Sequence, residues 1–314
     1  MRFWDILGHS IQSLDYGFLL PAMAKTPLFV GERLAKIRGV FNFFLDYDWR
    51  SVALGHRFVR SGTYQAMSLL SPGSGSLGRM VATLHRFIHY SREEWEACLL
   101  SGKYIQTIFR QSTFKGLDKL LEYQKDGRGI VLLTCHFDSF VMGIILLGMA
   151  GLRVNAVSSS VVEDSRVHTS VQKFYYDKYR NMEKFMNGGK VVHFERNLRF
   201  FYGALKRGEA VVILADLPAT SRKTEVIVPF LGGTRRMAPG AWRIAKKTDS
   251  VIGAFVCLHD APGDYRVLCY LAGDKRPADP AGAMTPIYKF LDQQIRLHPE
   301  RWWASELLLQ YESA

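Results

Sequence analysis

From residue 129 onward, short apolar runs alternate with stretches of helical period. Runs of strand length are Gly129–Thr134, Arg153–Ser158, Lys190–His193, Ala210–Ala215, Val226–Phe230, Val251–Cys257 and Tyr265–Tyr270. The first, GIVLLT, is apolar almost without a break, as in a strand covered on both faces. Between them the pattern predicts helices around Phe140–Met149, His168–Met186, Asn197–Lys206 and Gly240–Thr248, with a last one at Thr285–His298. Such alternation predicts an α/β fold, a central mixed β-sheet flanked by helices, with a helical N-terminal region. The clearest loop is SPGSGSLG, Ser71 to Gly78, and SREEWEACLL carries Ser91 and Glu94 at capping-box spacing, which predicts a helix start. The expected division is a helical region over residues 1–110 and an α/β domain over 111–314, together one unit.

One segment breaks its own pattern. GIVLLTCHFDSFVMGIILLGMAG, Gly129 to Gly151, is the most hydrophobic stretch of the chain, yet it holds His136 and Asp138. Its uncharged part, Ser139 to Leu152, is shorter than the roughly 18–20 residues a bilayer core needs, and Asp138 interrupts any longer span. A buried strand, a turn and a helix from about Ser139 fit better. Asp138 then stands at the helix N-cap, and His136 at the carboxyl end of a strand, where open α/β sheets keep their ligand crevice.

Charge and cysteines narrow the field. With 314 residues, 48% of them hydrophobic and 22% charged, the chain is globular in composition. Its net charge of +12 fits an anionic membrane surface or an acidic or phosphate-bearing partner. No nucleic-acid module is apparent, so nucleic acid is not expected as a partner. Cys98, Cys135, Cys257 and Cys269 lack the spacing of a zinc site or a disulfide framework, and no metal is expected. Near the N-terminus an aromatic, basic segment is interrupted by Pro21 and Pro27, a pattern that serves either packing helices or a peripheral bilayer contact.

Candidate chemistry gathers at strand ends. A histidine there acts as general base if a second group orients its other nitrogen. Asp138 lies two residues away, Asp216 ends the apolar run Val211–Leu214, and Glu225 opens the strand before VPFLGG. A basic cluster, Arg222, Lys223, Arg235, Arg236, Arg243, Lys246 and Lys247, can hold phosphates or form a solvated face.

The order GLDKLLEYQKDGRGIVLLTCHFDSF, ALKRGEAVVILADLPA, VIVPFLGGTRRMAPGAWRIAKKT, VIGAF and HPERWWA resembles the bacterial lipid A biosynthesis acyltransferase family, which includes phosphatidylinositol mannoside acyltransferases. The likeness runs from about Lys115 to Trp303, and marks a divergent member. It implies transfer of a fatty acyl group from an acyl carrier protein or coenzyme A thioester to a hydroxyl, or in a divergent member an amine, of a lipid or glycolipid acceptor. It implies no cofactor beyond that co-substrate, and no covalent acyl-enzyme. His136 matches the catalytic histidine. The acid five residues later in the family is Val141 here, so the resemblance ranks Glu225 first and Asp138 second as its partner. Asp216 is expected to shape the site, Arg166 to replace a substrate-binding arginine, and Arg222, Arg235 and Arg236 to contact substrate. Family members commonly start with an anchoring helix; the broken segment here implies peripheral attachment at the cytoplasmic face of the bacterial inner membrane. A soluble acceptor, a thioesterase and a non-catalytic acyl-binding paralogue stand as alternatives.

Overall fold

The computed structural model describes residues 3–218, 225–273 and 279–311. The N-terminal part is helical: α1 (Phe3–Leu14), α2 (Leu20–Met23), α3 (Leu28–Leu45), α4 (Trp49–Leu54), α5 (Val59–Leu70), α6 (Ser76–Leu99) and α7 (Ile105–Gln111). A π-helical turn, Asp15–Leu19, joins α1 to α2, and Pro27 is the residue before the first turn of α3. Pro27 thus stands where a missing N–H costs little, whereas Pro21 is the second residue of α2, directly after the π-helical turn in a helical run that is continuous from Phe3 to Met23.

The expected helix start at Ser91 is not found. Ser91 and Glu94 lie inside the 24-residue α6. Their polarity has a long-range cause, because Arg38 of α3 donates to Asp15 at 2.5 Å, Glu94 at 2.8 Å and Ser91 at 2.9 Å, all buried. Gly39 allows the close approach of α3 and α6, since a Cβ there would meet Ile88 Cα at 2.6 Å. The N-terminal segment divides by face. Tyr16, Leu20, Met23 and Ala35 enter the core, whereas Phe18, Phe29, Ile37, Phe41 and Phe44 are exposed. Among the described residues no helix is long and apolar enough to cross a membrane.

The remainder alternates strands and helices: β1 (Thr113–Lys115), α8 (Leu117–Lys125), β2 (Ile130–Thr134), α9 (Phe140–Met149), β3 (Val154–Ser158), α10 (Thr169–Glu183), β4 (Val191–His193), α11 (Phe194–Lys206) and β5 (Ala210–Leu214). Then follow β6 (Val226–Phe230), β7 (Gly233–Met237), α12 (Gly240–Thr248), β8 (Val251–Ala261), β9 (Asp264–Leu271) and α13 (Pro280–Leu297). Seven strands form one mixed sheet in the order β1-β9-β8-β2-β5-β3-β4, with β8 and β9 antiparallel and the other neighbours parallel. The run 226–230 lies outside that sheet and pairs with β7 as a separate hairpin.

β2 is central and buried along its whole length. α9 is apolar on every side and buried from Phe140 to Gly148, as a helix without a polar face must be. It presses on β8 at Gly143, where a Cβ would stand 2.7 Å from Cys257 Cβ and 2.8 Å from the Phe255 ring. The apolar length after His136 is thus a core helix.

Candidate active site

Sheet register brings the first two candidates together. β2 and β5 are parallel neighbours with Thr134 opposite Leu214, and the ladder continues as Ala215 N–H donates to Thr134 O at 2.7 Å. His136 and Asp216 each lie two residues beyond that pair, on strands spaced about 4.8 Å apart. Their side chains meet: His136 Nδ1 is 3.0 Å from Asp216 Oδ1, and His136 N–H donates to Asp216 Oδ2 at 2.8 Å.

A third donor comes from the C-terminal segment. Trp302 Nε1–H donates to Asp216 Oδ2 at 2.8 Å, and Asp216 is wholly buried. Burial pushes the carboxyl upward, but the positive charge His136 can carry and the hydrogen bonds from its ring, from Trp302 and from the His136 N–H outweigh it, leaving the group below the usual range. An ionised Asp216 accepts from Nδ1–H, so the neutral imidazole keeps its lone pair on Nε2. The His136 side chain is 19% exposed, and it opens onto a cavity.

Residues 301–303 close the site from one side. Phe137 and Trp302 form an antiparallel bridge, Asp138 N–H donates to Arg301 O at 2.9 Å, and Trp303 N–H donates to His136 O at 3.1 Å. The Trp303 ring stands edgewise to His136 with centroids 4.6 Å apart, and Phe140 does so at 5.6 Å. Tyr311 and Tyr288 hydroxyls donate to the carbonyls of Asp216 and Ala215, at 2.8 and 2.9 Å, which pins the loop after β5. In the sequence HPERWWA is only a landmark of the resemblance; nothing in its spacing tells that an arginine and two tryptophans of this segment reach the β2 turn.

Asp138 neither caps a helix nor touches His136. Ser139 holds the N-cap position of α9, while Asp138 has φ +48° and is wholly buried. Its carboxylate accepts from Arg92, from Arg301 at 2.7 Å and from His259 N–H at 3.2 Å. Three donors from α6, β8 and the C-terminal segment offset the cost of a buried charge and a left-handed backbone at one turn. Glu96 adjoins this group, accepting from Ser139 at 3.0 Å and Tyr265 at 3.1 Å. Burial pushes its carboxyl up to about 7, Arg92 opposing and the Asp138 charge adding.

Glu225, the partner ranked first by resemblance, accepts from Arg236 and has no contact with His136 among the described residues. The hairpin carries it away from the central sheet, and the carboxylate that meets His136 is that of Asp216, just after β5. Arg236 is occupied by that pair, and Arg235 donates to Leu231 O at 3.4 Å. Arg222 and Lys223 lie outside the described residues. Arg166 lines the mouth of the cavity but is tied to Asp164 at 2.7 Å. No three His, Cys, Asp or Glu side chains converge as a metal site among the described residues.

The cavity beside His136 has a volume of about 620 Å³. Its wall is mostly hydrocarbon, with Ile144, Val157, Val162, Tyr175 and Met182 inside, and Val141 stands in it as a plain apolar surface. Leu54, Val161, Phe194 and Leu217 also line it and are half exposed. Its cationic residues each have an acidic partner: Arg50 with Asp48 and Glu306, Lys178 with Glu93, Arg166 with Asp164.

A histidine–carboxylate pair thus stands at the ends of parallel strands and opens onto a hydrocarbon-lined cavity, an arrangement that can move a proton beside an apolar chain. Residues 80–308 match the family model described as bacterial lipid A biosynthesis acyltransferase, and the chain belongs to that family. It is therefore an acyltransferase of the lipid A type. Comparison with curated proteins returns no match.

Proposed function

We propose that the protein moves a fatty acyl group from an acyl carrier protein or coenzyme A thioester to a hydroxyl of a lipid or glycolipid, with His136 as general base and Asp216 as the acid that orients it. The observation that carries this reading is the Asp216–His136 contact beside the hydrocarbon-lined cavity. Nε2 takes the proton of the acceptor hydroxyl as its oxygen attacks the thioester carbonyl carbon. The tetrahedral adduct collapses with loss of the C–S bond, and the thiolate leaves with the proton held by His136. Asp216 supports the imidazolium between the two transfers. The absence of an acid at Val141, which favoured a binding-only paralogue, loses that force once Asp216 fills the role.

Peripheral attachment to the cytoplasmic face of the bacterial inner membrane completes the reading. It is supported by the exposed apolar side chains at the cavity mouth and along α3, which let an acceptor and an acyl chain enter without crossing water.

The test is product analysis by mass spectrometry. Purified protein is incubated with acyl carrier protein and coenzyme A thioesters and a bacterial lipid extract, beside His136→Ala. Acylated lipid that disappears in the variant is the expected result. Free fatty acid without acylated lipid would make the protein a thioesterase, and an equally active variant would remove His136 from the mechanism.

A further inference from the structure

A second cavity, of about 800 Å³, lies between the π-helical turn with α2, the turn after α6, and α10. It shares Lys178 with the acyl cavity, and there the Lys178 ammonium is held by Glu93 at 2.6 Å, a buried pair standing between the two chambers. The contrast in lining is sharp. Lys25, Lys103, Lys173, Lys178, Arg180 and Lys184 face this second cleft against a single lining acid, Asp177. Lys173 and Arg180 already share Asp177, at 2.6 and 2.7 Å. Lys25, Lys103 and Lys184 have no acidic partner among the described residues; Lys184 donates only to Asn181, and Lys103 lies over the Tyr104 ring.

The cations converge for a structural reason. Ser170, Lys173, Asp177, Asn181 and Lys184 recur at three- and four-residue steps, so α10 and the turn after it present them on one face, with Lys178 at its border three residues before Asn181. Lys25 and Lys103 close on that face from two other elements. The volume is that of an organic ligand rather than a bare phosphate ion. Gly17, Pro21 and Ala24 line one edge of the cleft, and Phe18 and Leu19 of the same helical segment, though not part of the lining, are exposed by 66% and 41%. Cations inside and exposed hydrocarbon beside them match an amphiphile with a phosphorylated head.

We propose that this cleft binds the phosphorylated headgroup of an anionic membrane lipid, with the tails lying along the exposed apolar face beside Phe18. The proposal rests on the peripheral-membrane reading and adds a site and a headgroup chemistry to it. The headgroup phosphate is held by ammonium groups in a shaped recess, so binding exceeds what net charge alone confers.

The experiment is vesicle flotation of the full chain with phosphatidylcholine alone and with phosphatidylcholine containing phosphatidylglycerol. The variants are Lys25→Glu/Lys103→Glu/Lys184→Glu and, with the same charge change on surfaces away from the cleft, Lys119→Glu/Lys125→Glu/Lys206→Glu. The expected result is a loss of phosphatidylglycerol-dependent binding of about tenfold or more in the cleft variant only, with circular dichroism unchanged. Equal losses in both triple variants would reduce the effect to net charge and overturn the site. So would an undiminished cleft variant, or glycerol 3-phosphate binding in solution as tightly as the vesicles do. Wild-type binding to phosphatidylcholine alone reads the apolar docking separately, and acyl transfer is read in the product assay, so failure of either leaves this comparison interpretable.

Discussion

Replacing Asp216 by asparagine tests the contact on which the proposed site depends. The two carboxylate oxygens have different tasks. Oδ2 accepts from two N–H groups, His136 backbone and Trp302 indole, while Oδ1 faces His136 Nδ1. An amide must place its carbonyl where the two donors converge, so its NH₂ faces Nδ1. That nitrogen then accepts, the ring proton moves to Nε2, and the base is lost. Restoring the working tautomer requires turning the amide, which sets NH₂ against two donors in a buried place. Two forfeited hydrogen bonds at about 1–3 kcal/mol each come to about 2–6 kcal/mol, or between about 30-fold and 10⁴-fold in rate. The same exchange in a serine protease triad costs about 10⁴-fold. The assay is thiol release from acyl thioester in the presence of the lipid extract, with product confirmed by mass. Asp216→Asn should lower kcat over that range with KM little changed, whereas Glu225→Gln should stay near wild type. Full activity in a folded Asp216→Asn protein, or its loss in Glu225→Gln alone, would refute the assignment.

Three further outcomes follow from neighbouring groups. Trp302→Phe removes one of the donors that keep Asp216 ionised, so the acid limb of the kcat pH profile should move up, by about one pH unit if that hydrogen bond is worth about 1.5 kcal/mol. An unmoved limb would deny that Trp302 acts through Asp216. Glu96, pushed up to about 7 by burial, stabilises the fold fully below its ordinary value of 4.5 and loses that contribution as pH rises through about 7, a change of about 3 kcal/mol. Urea unfolding of wild type should therefore weaken between pH 5 and 8 relative to Glu96→Gln, and parallel pH dependences would sink the claim. Ile144→Trp adds bulk to the cavity wall and should shift donor preference to shorter acyl chains, at about 0.8 kcal/mol for each excluded methylene; an unaltered chain-length profile in competition assays would place the acyl chain elsewhere.

What could be read from the chain was whatever it states locally. β2, α9 and β5 are legible because their apolar runs have strand or helix length and recognisable ends. β1 and β7 were missed for the opposite reason, since Thr113–Lys115 and Gly233–Met237 are short and largely polar. Ser91 and Glu94 imitate a capping box because a buried ion pair and a helix start use the same residue types. Asp138 imitates an N-cap at a turn whose charge is in fact answered by Arg92 and Arg301, 46 and 163 residues away. Each error exchanges a local partner for a distant one.

The choice of acid for His136 shows why distance matters to the chemistry as well as to the reading. An acid at position 141 would sit on α9, inside the wall of the hydrocarbon-lined cavity. A carboxylate there would need a partner or hydration in a hydrocarbon chamber. Asp216 removes the conflict. It approaches from the neighbouring strand on the Nδ1 side, where two N–H donors and two tyrosine-anchored carbonyls already hold the loop. Val141 is then released to line the cavity. The parallel register of β2 and β5 brings a carboxylate that local spacing does not supply, and it divides the surroundings of His136 into a polar side, which holds Nδ1, and an apolar side, which is the hydrocarbon-lined cavity. That division answers why His136 stands in the most hydrophobic stretch of the protein: hydrocarbon lines the cavity on one side of the ring, and the carboxylate is brought to the other side by a residue 80 positions later.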